Sequence, residues 1–200
     1  MNNSNKDFNY YKSHAYQLCH FINMLVLFGN NIILIMAFYY QLVWNELPCP
    51  ICLLQRIGII IISIGFFLNI RFGIRSIHYG IALLGCILTG IIAMRQVFLH
   101  ILPGDLGYGS TLFNFHFYTL ALLSSILTIV VIAILLILKD SKKTLILLTK
   151  WDKINIIIFS LLIAANVVST FIECGIGDCE SNPTSYQLLK SYNNKISNND

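Results

Sequence analysis

Five times along this chain, about twenty residues pass with at most one charged side chain among them. A helix needs about 20 predominantly apolar residues to cross about 30 Å of hydrocarbon, and it satisfies its own backbone polar groups where water cannot. The runs extend from about Phe21 to Leu42, Ile51 to Ile70, Ile77 to Leu99, Phe115 to Leu138 and Ile154 to Ile172. None repeats another, and short polar connectors join them. The expected fold is an all-α integral membrane protein of five spans. Composition agrees, with 56% apolar and 11% charged residues, whereas soluble domains carry about a quarter charged. With no polybasic tract, glycine-rich phosphate loop or zinc-finger spacing, no nucleic-acid partner is expected.

No small-residue cleavage site follows the first run, so it should persist as an anchor rather than leave as a signal peptide. Lysines and arginines then set the orientation. With the N-terminus inside, Lys6, Lys12, Arg71, Arg75, Lys139, Lys142, Lys143, Lys150 and Lys153 are cytoplasmic. Arg56, Arg95, Lys190 and Lys195 lie on the other side, a bias of nine to four. The expected order is a cytoplasmic segment 1–20, four spans within 21–138, a basic cytoplasmic connector 139–153, a fifth span 154–172 and an outer tail 173–200.

That orientation sorts the cysteines. Cys49 and Cys52 start the second run, and Cys174 and Cys179 follow the fifth, so four of six face the outer compartment in two close pairs. In a bacterial inner membrane this compartment is the oxidising periplasm. Cys19 stands beside His20 at the inner end of the first run, without two further ligands nearby to hold a metal. Cys86 lies within "GIALLGCILTGIIA", where small residues let helices approach and a buried cysteine serves as a small hydrophobe.

The first pair sits in "PCPICLLQR", residues 48–56. Pro50 suits the first position of a helix, whose N–H has no intrahelical partner. Cys49 then becomes the cap and Cys52 a first-turn residue, both at the positive end of the helix dipole. Arg56 stands one turn beyond Cys52, where its charge can stabilise an anionic sulfur, and a charge within a span calls for a functional partner. Three uses remain open on these residues: redox chemistry, half of a metal site, or an inert disulfide. Structural zinc usually takes two such knuckles, whereas the other pair here is C-x4-C, and c-type haem attachment wants histidine where Leu53 stands.

"LPCPICLLQR" at the outer end of a second helix resembles the DsbB family of membrane disulfide-forming proteins. "LNIRFGIRSIHYGIALL", and "RQVFLHILPGDLGYGS" running into "HFYTLALL", are further similarities, within about residues 25–138. The chain also resembles a branch of that family with an added helix and a cysteine-bearing tail. The resemblance implies a four-helix bundle, a relay through two cysteine pairs, and a quinone (ubiquinone or menaquinone) near the membrane surface. It also implies a periplasmic thioredoxin-fold, DsbA-like dithiol as partner. Cys49 and Cys52 would be the quinone-proximal pair, with Cys52 meeting the ring and Arg56 beside it. Arg95 and Gln96, in the outer half of the third run, stand where the family places a polar quinone contact. His100 and His116 flank the outer loop and could handle protons there.

The departure is the second pair. Well-known relatives carry it between the third and fourth helices, but "ILPGDLGYGSTLFNF" has no cysteine. It appears instead in "FIECGIGDCESNP", where Gly175 and Gly177 give the loop freedom to bring Cys174 and Cys179 together. Such a disulfide can be an exchangeable relay or a stabilising staple. On the relay reading electrons enter at Cys179, pass through Cys174 to Cys49–Cys52, and leave to quinone. The rival is a non-enzymatic metal-binding or assembly factor using the cysteines as ligands.

Overall fold

A computed structural model describes residues 3–102, 104, 107–112, 114–138, 148–175, 179 and 185–188, with side chains from residue 16 onward. The elements are α1 (Asn3–Val43), α2 (Pro50–Phe72), α3 (Ser76–Leu99), β1 (Thr111–Leu112), β2 (Phe115–His116), α4 (Phe117–Leu138) and α5 (Lys150–Cys174). Five helices are long and apolar enough to cross a membrane. The fold is that of an all-α integral membrane protein. Residues 139–147 of the basic connector and most of the tail, with Lys190 and Lys195, lie outside the described residues.

Helix ends differ from the apolar runs, because hydrophobicity marks where lipid begins and not where a helix stops. Helix α1 starts at Asn3, through the segment expected to precede it, while its apolar span covers Tyr16–Val43. Helix α4 starts at Phe117 because Phe115 and His116 pair antiparallel with Leu112 and Thr111 in a short hairpin. Helix α5 begins at Lys150, four residues before the apolar run. A capping box starts it: Asp152 N donates to Thr149 Oγ1 at 3.2 Å, and Thr149 N donates to Asp152 Oδ2 at 2.8 Å. Its last residue is Cys174, so that cysteine belongs to the helix rather than to a loop.

Small residues join α2 to α3. A Cβ at Gly65 would sit 2.5 Å from the His78 carbonyl oxygen, and one at Gly85 2.6 Å from Ile62 N. Leu27, Phe66, Ile70, Tyr79, Ala82, Cys86, Ile132, Leu135 and Phe159 fill the centre. Cys19 and Cys86 are buried there as free thiols. At the α2–α3 turn Asn69 gathers three partners: its Nδ2 donates to Asn23 Oδ1, and its Oδ1 accepts from Arg75 N and faces His78 Nδ1, each at 3.0 Å.

Helix α5 docks on α1 through polar rungs at three depths. His20 Nε2 lies 3.2 Å from Asp152 Oδ2. Asn31 Nδ2 donates to Asn155 Oδ1 at 2.6 Å, and Asn155 Nδ2 to the Met24 carbonyl at 3.1 Å. Gln41 Nε2 donates to Ser169 Oγ at 2.8 Å. Lipid tails give helices no hydrophobic reason to associate, so such hydrogen bonds fix the register.

Candidate functional site

The site grows from the start of α2. Cys49 is extended and caps the helix, with its Sγ accepting from Cys52 N at 3.1 Å, and Pro50 follows at the first helical position. The two cysteines form a disulfide with Cα atoms 5.0 Å apart. Cys49 is buried and Cys52 half-buried. Loops hold this end in place: Tyr108 OH donates to the Leu47 carbonyl at 2.8 Å, and Glu46 accepts from Ser110 N at 3.1 Å and from Ser110 Oγ.

Beside the disulfide is a cavity of about 240 Å³. Ile33, Met36, Tyr40, Ile59, Leu112 and Phe117 are among its apolar walls, and Cys52, Gln55, Arg56 and Gln96 supply polar groups. Arg56 is 9% exposed. Its Nη1 donates to Gln41 Oε1 at 2.7 Å, its Nη2 to the Ala37 carbonyl at 3.1 Å, and its guanidinium lies 5.4 Å from the Phe38 ring centroid. Those contacts hold a charge within a span, where an unpartnered one would be costly. Gln96 is buried on α3, and its Nε2 lies 3.7 Å from both sulfurs. Arg95 next to it is exposed and does not line the cavity.

Cys174 and Cys179 form a second disulfide, with Cα atoms 4.6 Å apart. Gly175, at φ +64°, lets the chain turn back just past the helix. Cys174 is buried and Cys179 half-buried. The preceding residue, Glu173, is 3% exposed, and its Oε2 has no hydrogen-bond partner among the described residues. It interacts electrostatically with Arg56, so the end of α5 and the cavity share a field. Tyr186 of the tail also lies within electrostatic reach of Arg56. Burial, then the Glu173 and Glu46 carboxylates, raise the pKa of Tyr108 above the usual phenol value.

His100 and His116 meet on one ring. Both stack on Tyr118, with centroids 5.7 and 5.1 Å away, and Tyr118 lines the cavity. Gly107, at φ +71°, makes room for His116 and Tyr118, since a Cβ there would fall 2.6 Å from His116 Nε2 and 2.9 Å from Tyr118 OH. No group of three or more His, Cys, Asp or Glu is placed to hold a metal among the described residues.

Sequence reasoning passed over Gln55 and Tyr118, and it took Glu173 only as an acidic neighbour of the tail cysteines, without its approach to Arg56. Gln55 carried a usable signal, because a polar residue inside an apolar run is the same anomaly that singled out Arg56. Glu173 offered none beyond adjacency to Cys174. Its approach to Arg56 depends on how α5 docks.

A family model described as "Disulfide bond formation protein DsbB" matches residues 20–109. A curated relative from Nitrosospira multiformis, "Disulfide bond formation protein B", is 37% identical over 67 residues. That match covers 32% of this chain and 40% of the relative, so less than half of either protein is aligned. No solved structure matches the chain.

Proposed function

We propose, from the match of residues 20–109 to the DsbB family, that this chain is a quinone-dependent thiol:disulfide oxidoreductase of the bacterial inner membrane. Its N-terminus is cytoplasmic and its tail periplasmic. One observation carries the reading: Cys52 lines a largely apolar cavity whose polar groups include Gln55, Arg56 and Gln96. Apolar walls suit a quinone ring, and amide and guanidinium N–H groups suit its carbonyl oxygens. When bound, ubiquinone or menaquinone supplies an acceptor for two electrons and two protons.

The protein's part is to bring a dithiol's electrons to Cys52. A thioredoxin-fold, DsbA-like partner attacks Cys179, the more accessible tail sulfur, and releases Cys174 as a thiolate. Cys174 then attacks the Cys49–Cys52 disulfide at Cys49, forming one S–S bond as another breaks and leaving Cys52 anionic. Resolution of both mixed disulfides leaves the partner and tail pairs oxidised and Cys49–Cys52 reduced. Two electrons have then moved to the cavity. The helix N-terminus and Arg56 favour negative charge on Cys52.

The test uses the full chain in lipid nanodiscs with a reduced thioredoxin-fold dithiol and either quinone. Quinone should be consumed in proportion to the disulfide formed. Partner oxidation that continues beyond the two resident disulfides without quinone, or stoichiometric copper or zinc uptake through these cysteines in its place, overturns the reading.

A further inference from the structure

The inference concerns Gln55 and rests on the redox reading of Cys49–Cys52. Gln96 has one amide to offer, and the disulfide sulfurs beside it can only accept, so its NH2 end has to face them. Its Nε2 lies 3.7 Å from each sulfur, within reach of a long N–H···S contact. Nothing in an amide prefers that orientation, because rotating the side chain exchanges its donor and acceptor ends. The neighbour decides. Gln55 Nε2 donates to Gln96 Oε1 at 2.8 Å, and a donor there holds the oxygen away from the sulfurs. Gln55 is 6% exposed and Gln96 2%, so little water competes for either amide. Two amides buried in spanning helices are costly unless each satisfies the other.

We propose that Gln55 is a positioning residue that aims the Gln96 amide at Cys49 and Cys52, so that two N–H donors await the negative charge that forms when the disulfide opens. Gln55 stands three residues after Cys52 on α2, while Gln96 comes from α3. The tight packing of those helices at Gly65 and Gly85 keeps the donor set in register. A donor favours the anionic sulfur over the neutral thiol and over the disulfide, so the pair becomes more oxidising. Gln55 touches neither sulfur in this scheme. It acts through Gln96.

The test is a cycle of Gln55→Met, Gln96→Met and the double variant, in full-length protein with Cys174→Ser and Cys179→Ser so that a single disulfide titrates. Gln55→Leu is carried in parallel, so the measurement survives if the Met variant fails to fold. Readouts are the glutathione equilibrium of Cys49–Cys52 and the ultraviolet absorbance of thiolate after reduction, neither of which needs quinone or partner. Gln55→Met should make the pair about tenfold easier to oxidise, or about 30 mV more reducing, as expected for one weakened hydrogen bond to a charged group. Its thiolate fraction should fall at a given pH. Gln96→Met should give a similar shift, and the double variant little more than either single. A purely structural role would lower thermal stability and leave potential and thiolate absorbance unchanged. That result, or fully additive shifts, overturns the proposal. A wild-type pair that responds to glutathione but never passes electrons to quinone overturns the functional reading instead, leaving this one standing.

Discussion

The two disulfides stand at opposite ends of helices, and their surroundings differ in sign. Cys49–Cys52 begins α2, with backbone N–H groups and Gln96 Nε2 beside it and Arg56 lining the same cavity. Cys174–Cys179 ends α5, where the helix presents carbonyls and Glu173 is the preceding residue. Donors favour a sulfur anion, whereas carbonyls and a carboxylate disfavour one, each helix end contributing about 0.3–1 kcal/mol. Stabilising the reduced form makes a disulfide more oxidising, by about 30 mV for each 1.4 kcal/mol. On the proposed function, electrons entering at the tail therefore run downhill to Cys49–Cys52. Local chemistry, more than the order of the cysteines in the chain, gives the relay its direction.

The most severe way to break the comparison is to remove one sulfur from each pair. Cys52→Ala should abolish quinone reduction from every donor, because it leaves no cysteine lining the cavity. Cys179→Ala should abolish oxidation of the protein dithiol yet keep quinone reduction by a small dithiol such as dithiothreitol, which can reach Cys49–Cys52 directly. Quinone absorbance with each donor separates the cases. If Cys179→Ala behaves as wild type with the protein donor, the tail disulfide is a staple.

Arg56 belongs to both regions, so Arg56→Met probes their coupling. The variant removes a guanidinium that lines the cavity, holds Gln41 and Ala37, and shares a field with Glu173. Apparent quinone affinity should fall about 10- to 100-fold, the range for a lost hydrogen bond to or from a charged group. Thermal stability should fall as well, since Gln41 Oε1 loses its donor in a buried site. Unchanged quinone affinity beside a lowered melting temperature would confine Arg56 to a structural role.

The sequence was most informative where chemistry is written in neighbouring residues. Apolar runs locate all five helices, and "CPIC" alone dictates the cap at Cys49, the proline after it and the sulfur in the first turn. The same logic missed the start of α1, because polar residues outside the bilayer can remain helical. It did not separate Arg95 from Gln96. Adjacent residues on a helix point about 100° apart, and only the packing of α3 against α2 decides which faces the disulfide. The approach of Glu173 to Arg56 was out of reach for a related reason. It follows from rungs between α1 and α5, residues more than a hundred positions apart.

Glu173→Gln sharpens the comparison at its negative end. Replacing the carboxylate with an amide removes the anion from the tail side while keeping shape and size. The potential of Cys174–Cys179 should become more oxidising, with the equilibrium shifting severalfold, or about 10–30 mV. The gap between the pairs narrows, and the partial reactions should show slower transfer from tail to Cys49–Cys52. A tail potential identical to that of wild type would show that Glu173 influences only Arg56 and Tyr108.

The smallest effect is expected from the middle rung, which touches neither disulfide. Asn155→Leu deletes the bond from Asn31 Nδ2 to Asn155 Oδ1 and the donation to the Met24 carbonyl, and leaves Asn31 Nδ2 its 3.2 Å bond to the Asn155 carbonyl. Asn31 is itself buried with its Oδ1 already unpartnered among the described residues. Interhelical hydrogen bonds in membranes contribute about 0.6 kcal/mol on average, so the melting temperature should drop only slightly. Loosening α5 still costs the relay, because α5 carries Cys174 toward the cavity while Cys49 stays fixed on α2. Transfer between the pairs should slow about two- to threefold, the same 0.6 kcal/mol applied to docking. The glutathione equilibrium of Cys49–Cys52 should remain that of wild type, since none of its donors comes from α5. A shift in that potential with normal transfer between the pairs would mean that the two regions are coupled through the helix packing itself, and not through the meeting of their sulfurs.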